Sequence, residues 1–132
     1  MGLWLKDCST ASVSRDHRKL RVFALADDLV TRIYQGTQDF PAMERFGLQI
    51  QLRRAAVSVA CNIVEGSARR TTNEYLHFLN IAAASASEVR YLVDVSCRLG
   101  FLTDASDDVL SAGYTELAAC LNALMQSLRR EP

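Results

Sequence analysis

The stretch "RRAAVSVACNIVEGSARR", residues 53–70, decides between a helical and an extended fold. Its apolar residues recur at intervals of three and four, so one face of a helix collects Leu52, Ala56, Val59, Ala60 and Ile63. A second face is polar and made largely of short side chains, at Gln51, Arg54, Ser58, Asn62 and Glu65. Short polar side chains allow another helix or subunit to approach closely, and they supply the hydrogen bonds that burial requires.

The composition is that of one helical domain. The 132 residues are 49% hydrophobic and 23% charged, and they include only two prolines and six glycines, too few for an all-β chain. Helical periodicity covers residues 18–35, 41–65, 71 to about 100, and about 103 to 130. Short connections between such helices predict an all-α, up-and-down antiparallel four-helix bundle over 18–130, preceded by a flexible N-terminal arm over 1–17.

Local signals predict where these helices begin and end. Gly36 and Gly66 are expected to end the first two helices, and the third stops near Gly100. Thr71 and Glu74 stand three residues apart and form a predicted capping box at the start of the third helix.

The charges balance overall but are segregated along the chain. The 15 basic and 15 acidic side chains cancel, which counts against strong sequence-independent binding of nucleic acid by one isolated chain. Residues 1–70, however, hold 11 Lys and Arg against 7 Asp and Glu, whereas residues 71–132 hold 4 against 8. A helical bundle can convert such segregation into surfaces of opposite sign, although solvated charges that segregate by chance give the same counts.

No pattern typical of an enzyme or a metalloprotein occurs in the sequence. Cys61 would need a nearby base to act as a nucleophile, and the two histidines are His17, in the expected arm, and His77. Neither a repeated Glu-x-x-His pattern nor a glycine-rich phosphate loop is present. The sequence therefore predicts a non-enzymatic protein with no catalytic residue, metal or cofactor.

The cysteines and the first residues indicate a cytoplasmic protein that does not enter a membrane. Four cysteines lie far apart without a C-x-x-C spacing, and three of them are expected to be thiols buried in apolar helix faces: Cys61, Cys97 and Cys120. The apolar run near the N-terminus is too short for a signal peptide or a membrane span.

The run from Phe40 to Leu102 resembles the bacterial four-helix bundle proteins named after intervening sequences of 23S ribosomal RNA genes. The segments that carry the resemblance are "FP…E…GL" at 40–48, "LRRAAVSV" at 52–59 with "NI-EG" at 62–66, "EY--FL-IA--SA-E" at 74–88 and "LG-L" at 99–102. Cys61 and Val64 stand where alanine is expected, and these departures disturb no polar group.

The resemblance implies a ring-shaped homopentamer of four-helix bundles with a central channel. It also implies a role associated with nucleic acid, because relatives include basic accessory proteins of diversity-generating retroelements, which engage nucleic acid and a reverse transcriptase. A reverse transcriptase is therefore one expected protein partner. An interaction scaffold for a protein, with no affinity for nucleic acid, is the alternative function, indicated by the neutral charge and the small-residue helix faces.

In a neutral chain, phosphate binding has to rely on a local basic patch that is repeated in each subunit of a symmetric oligomer. The expected contacts with RNA or DNA are Arg53, Arg54, Arg69 and Arg70, with Arg45, Arg15, Arg18, Lys19 and Arg21 as further candidates. Alternatively, Arg53 or Arg54 pairs with Glu65 or Glu88 across packed helices. Three residues, Asn62, Glu65 and Glu88, are predicted to be structural polar anchors where helices or subunits meet.

Overall fold

Four long helices form the fold in the computed structural model, which describes the backbone of residues 13–130 and the side chains of residues 18–130. They are α1 (Val13–Gly36), α2 (Leu48–Ser67), α3 (Thr72–Arg98) and α4 (Asp104–Arg130), with one 3₁₀ turn at Ala42–Glu44. Residues 1–12 of the expected arm lie outside the described residues, whereas the backbone of residues 13–17 is already part of α1. The division into an arm and a domain stays a prediction.

Each helix packs against its neighbours along the chain, and α1 also packs against α4, which closes the bundle. Within the described residues, no Cα atom of α1 lies within 8 Å of one in α3, and the same holds for α2 and α4. Because the connections are short, successive helices run in opposite directions. The predicted all-α class and four-helix arrangement are confirmed, since residues 13–130 contain no strand.

The core is one apolar cluster to which every helix contributes a stripe. Its largest fully buried side chains are Val22, Leu29, Ile33, Leu52, Val59, Ile63, Leu79, Val89, Val93, Tyr114, Leu117 and Leu121. The predicted core face of α2 is confirmed, although Ala60 is only half-buried. None of the helices within residues 13–130 combines the length and hydrophobicity needed to cross a bilayer.

The two ends of α3 follow signals that are visible in the sequence. Thr71 Oγ1 accepts a hydrogen bond from the Glu74 amide at 3.1 Å, which is the N-cap half of the predicted capping box. At the other end Gly100 has a φ of 80°, and the Phe101 amide donates to the Ser96 carbonyl at 2.8 Å. This Schellman motif needs a residue that tolerates a left-handed backbone, and glycine supplies it.

The start of α2 differs from its prediction. The helix begins at Leu48 rather than near Pro41, and the preceding residues form the 3₁₀ turn. The Glu44 carboxylate accepts a hydrogen bond from the Leu48 amide at 3.1 Å. A side chain from the 3₁₀ turn thus satisfies an amide at the start of α2 that has no partner within the helix.

The predicted end of α2 is met within two residues, since the helix ends at Ser67, but Gly66 is its buried penultimate residue rather than the residue that caps it. A Cβ atom at this position would lie 2.9 Å from Tyr75 Cδ1 and 3.0 Å from Phe78 Cβ, closer than side chains normally pack. The absence of a side chain at Gly66 therefore lets α3 approach α2 closely.

Replacing Gly66 with alanine is expected to lower the melting temperature. Alanine favours a helix by about 1 kcal/mol over glycine, but its Cβ has no space beside the Tyr75 ring. Gly36→Ala is the matched control, because a Cβ there would lie 3.8 Å from Leu110, an ordinary contact, so its melting temperature should hold or rise. Thermal unfolding followed by circular dichroism compares the two. Equal stability of both variants would contradict close packing at Gly66.

Candidate nucleic-acid interface

The four arginines predicted to contact nucleic acid form two pairs at opposite ends of α2. Arg53 and Arg54 lie in its second turn, whereas Arg69 and Arg70 follow its last residue, Ser67. At 1.5 Å of rise per residue, the pairs are separated by roughly 24 Å along the helix axis. A single chain therefore does not bring the four arginines into one patch.

Arg53 is engaged within the fold. Its Nε donates to Thr37 Oγ1 at 3.0 Å, its Nη2 donates to the Tyr34 carbonyl at 3.2 Å, and its guanidinium lies 4.6 Å from the Tyr34 ring centroid. These contacts place a cation at the C-terminal end of α1, where the helix dipole is negative. The predicted pairing with a carboxylate is wrong for Arg53, because its side chain faces the end of α1, and Arg54 is exposed with no ion pair among residues 18–130.

The polar face of α2 packs against α3 in its middle and is exposed at its ends. Ser58 Oγ and Ser85 Oγ lie 2.9 Å apart, in a hydrogen bond between the two helices. The half-buried Asn62 donates from Nδ2 to the Ser58 carbonyl at 2.8 Å and to the Ser58 hydroxyl at 3.1 Å. The short side chains of this face thus serve the packing of two helices within one chain.

The two carboxylates predicted to be anchors, Glu65 and Glu88, are exposed in the single chain. Glu65 forms an ion pair with Arg69 one helical turn further along. Only Asn62 among the three predicted anchors is partly covered by the chain itself. A role of all three residues at a seam between subunits stays a prediction.

One end of the bundle gathers basic side chains that are distant in the sequence. The start of α1, the α2–α3 connection and the end of α4 meet there, and the basic end is defined by Arg18, Lys19, Arg21, Arg69, Arg70, Arg129 and Arg130. Arg18 Nη1 donates to Ser127 Oγ at 2.8 Å, which joins the start of α1 to the end of α4. The exposed carboxylates of residues 18–130 at this end are Glu65, Glu74 and Glu116, the last of which pairs with Arg21.

The opposite end of the bundle, at the α1–α2 and α3–α4 connections, is the acidic end, where carboxylates slightly outnumber basic side chains. Its carboxylates belong to Asp39, Glu44, Asp94, Asp104, Asp107 and Asp108, and its basic residues are Arg32, Arg45, Arg53, Arg54 and Arg98. The antiparallel topology thus converts segregation along the sequence into a charge difference along the bundle axis.

Several arginines of the basic end are available to an anion. Arg70, Arg129 and Arg130 are exposed, and no carboxylate among residues 18–130 forms an ion pair with them. Arg21 pairs with Glu116 at 3.7 Å, with both side chains at least half exposed. Exposed pairs of this kind contribute little to stability, so a phosphate can compete for the arginine.

Sequence reasoning missed Arg129 and Arg130 as part of this surface, because basic side chains in the last turn of a helix are explained by the negative end of the helix dipole alone. The signal that could have found them is the antiparallel order of the helices. In an up-and-down bundle the last residues of the fourth helix lie beside the start of the first and the second connection.

Cys61 is exposed, in contrast to its predicted burial, because it lies on the side of α2 that faces away from the core. It lines an open groove of about 390 Å³ between α1 and α2, next to Asp27 and Glu65. Within residues 18–130, no three His, Cys, Asp or Glu side chains are placed to hold a metal ion. The side chain of His17 lies outside the described residues.

Cys97 is half-buried and donates to Asp104 Oδ1 at 3.6 Å. Burial, together with the negative charges of Asp107 and Asp104, raises the pKa of the Cys97 thiol. A raised pKa keeps the thiol protonated, so Cys97 is a weaker nucleophile than an ordinary cysteine.

The fold and this surface define an all-α protein, a four-helix bundle with a basic end. The chain belongs to the 23S rRNA-intervening sequence protein family, whose model matches residues 18–123. A crystal structure of a protein with unknown function from the S23 ribosomal protein family of Bacteroides thetaiotaomicron has a TM-score of 0.75 and 20% identity, covering 83% of this chain and 98% of that chain. No curated protein matches the chain. The similarity to the crystal structure concerns the fold alone.

Separate substitution of Arg53 and Arg54 should show that Arg53 stabilises the fold and that Arg54 does not. Arg53→Ala removes two hydrogen bonds at the end of α1 and is expected to lower the free energy of unfolding by about 1–2 kcal/mol. Arg54→Ala, the matched control, should change it by less than about 0.5 kcal/mol. Urea unfolding of both variants measures the difference. Equal effects would contradict the structural role of Arg53.

Proposed function

We propose that this protein is a non-enzymatic, cytoplasmic assembly that binds RNA or DNA through the basic end. The observation that carries the proposal is the convergence of three basic segments at one end of the bundle, with Arg70, Arg129 and Arg130 exposed there. Phosphates are bound by such clusters of arginine and lysine, whatever the base sequence. The described cysteines are free thiols, which is in keeping with a reducing compartment.

A net charge of zero does not oppose this proposal, because the charge is unevenly distributed along the bundle axis. A nucleic acid at the basic end lies roughly 30–40 Å from the acidic end, several Debye lengths away at physiological salt. The acidic end therefore repels it little. Several copies of a modest patch on one assembly raise the overall affinity.

A closed homo-oligomer, with five copies as the family resemblance implies, is part of the proposal. Its support is an apolar stripe on the outer side of α2 formed by Ile50, Val57, Cys61 and Val64, which are seven, four and three residues apart. Phe23 and Val30 of α1 border this outer stripe along the groove. Apolar stripes at this spacing are typical of helices that pack against another helix. In a ring whose bundle axes run along the symmetry axis, all basic ends face the same side.

The alternative candidate, a scaffold for a protein partner without nucleic-acid affinity, is favoured by two exposed apolar side chains. Met43 is 84% exposed and Phe46 is 87% exposed, both between α1 and α2 at the acidic end. A protein partner, for which a reverse transcriptase is one candidate, would cover them. In that case Met43→Ser combined with Phe46→Ser abolishes recovery of a partner from native extract. Recovery of no partner by the unmodified protein would leave this alternative without support.

Charge reversal at the basic end should strongly weaken binding of nucleic acid. Arg70→Glu combined with Arg129→Glu should weaken binding of a labelled RNA strongly, and the affinity of the unmodified protein should fall steeply between about 50 and 200 mM salt. Fluorescence anisotropy measures both effects. Arg45→Glu combined with Arg98→Glu is the matched control, because it makes the same charge change at the acidic end and should have a much smaller effect. Equal losses in both variants, or salt-independent binding, would refute an interface at the basic end.

A charge in the outer stripe should dissociate the assembly without unfolding the chain. Val64 is 36% exposed, and Val64→Arg places a cation where we propose that a neighbouring copy packs. Size-exclusion chromatography with light scattering should show single chains of unchanged helical content. Val109→Arg is the control, since Val109 is 51% exposed but lies outside the stripe. If the unmodified protein had the mass of a single chain, the proposed assembly would be disproved.

A further inference from the structure

At the basic end, Arg69, Phe78 and His77 form a cluster of planar side chains. The exposed Arg70 follows Arg69 in the chain. The Arg69 guanidinium lies over the Phe78 ring, 4.9 Å from its centroid. The His77 ring meets the same phenyl ring edge-on, with centroids 5.4 Å apart and an interplanar angle of 75°. His77 is exposed, and the Arg69 side chain retains 38% of its surface accessible.

The packing of α2 against α3 holds this cluster in place. Phe78 is half-buried, and its Cβ would lie only 3.0 Å from a Cβ at Gly66. The close approach of the α2 backbone therefore fixes the position from which the phenyl ring projects. The ion pair between Arg69 and Glu65 fixes the guanidinium from the other side. The cluster is therefore arranged before any ligand arrives, which lowers the entropic cost of binding.

The chemistry of the cluster fits an unpaired base. The Arg69 guanidinium covers Phe78 and its side chain is partly accessible, and the His77 ring is exposed, so both planar groups can be reached by a ligand. Single-stranded nucleic acid is bound by stacking of bases on arginine and aromatic planes, next to cations that contact the phosphates. Because Glu65 already neutralises Arg69, the neighbouring Arg70 is the residue suited to a phosphate.

We infer that this cluster stacks an unpaired base, so that the protein binds single-stranded nucleic acid in preference to a duplex. The inference rests on the proposed function and specifies the form of nucleic acid that the basic end takes. A duplex keeps its bases stacked inside, so it can use only the arginines that contact phosphates, such as Arg70 and Arg129. A single strand can use those arginines and the cluster together.

The test compares two substitutions that conserve charge. Arg69→Lys removes the guanidinium plane, whereas Arg98→Lys, the matched control, makes the same exchange at an exposed position at the opposite end of the bundle. The probes are a labelled oligouridylate of about 16 nucleotides, within the known range of single-strand sites, and an RNA duplex of equal length. Arg69→Lys should weaken binding of the oligouridylate about tenfold, the loss expected for one stacked base, with duplex binding unchanged. Arg98→Lys should leave both affinities nearly unchanged.

His77→Ala provides a second variant at an exposed position that the fold does not need, and it should also weaken only the single strand. Circular dichroism confirms that each variant is folded. Equal affinity of the unmodified protein for both probes, or no effect of Arg69→Lys and His77→Ala on the oligouridylate, would overturn the inference while the proposed binding at the basic end stands. Absence of binding to either probe would overturn both.

Discussion

The close approach of α2 and α3 is the constraint on which the other features of the structure depend. It requires no side chain at Gly66, where a Cβ would meet Tyr75 and Phe78, and short side chains where Ser58 meets Ser85. Larger residues at these positions would separate the two helices, because cores are packed at near-crystalline density. The same approach sets the position of Phe78 beneath Arg69, so the packing constraint and the geometry of the basic end have one origin.

The antiparallel topology explains how a chain of zero net charge comes to have a basic end. Helices of alternating direction bring the start of α1, the α2–α3 connection and the end of α4 to the same level. Arginines more than 100 positions apart, such as Arg18 and Arg129, therefore become neighbours. Net charge alone is a poor guide to partners in such a fold, because screening confines each charged end to its own surroundings.

The candidate site was only partly predictable. Arg69 and Arg70 were identified from sequence and lie exposed at the basic end, but Arg53, which was predicted together with them, stabilises the end of α1. The pairs Arg53–Arg54 and Arg69–Arg70 are identical in sequence. They differ in whether the end of another helix lies within reach of a side chain, as the end of α1 does for Arg53. Likewise, Cys61 fits the apolar pattern of α2 yet is exposed, because a helix that packs on only part of its circumference leaves other apolar positions uncovered.

The sequence by itself determined the all-α class, the four helices, the core stripe of α2 and the cap of α3 at Thr71, because periodicity and capping are local properties. Only the tertiary structure decided that Gly66 packs against α3, that Glu44 caps α2, and that Arg129 joins Arg70 at one end. These features depend on contacts between segments far apart in the chain. Spacing along one helix specifies which residues share a face, but the neighbour that meets the face is set by how all four helices pack together.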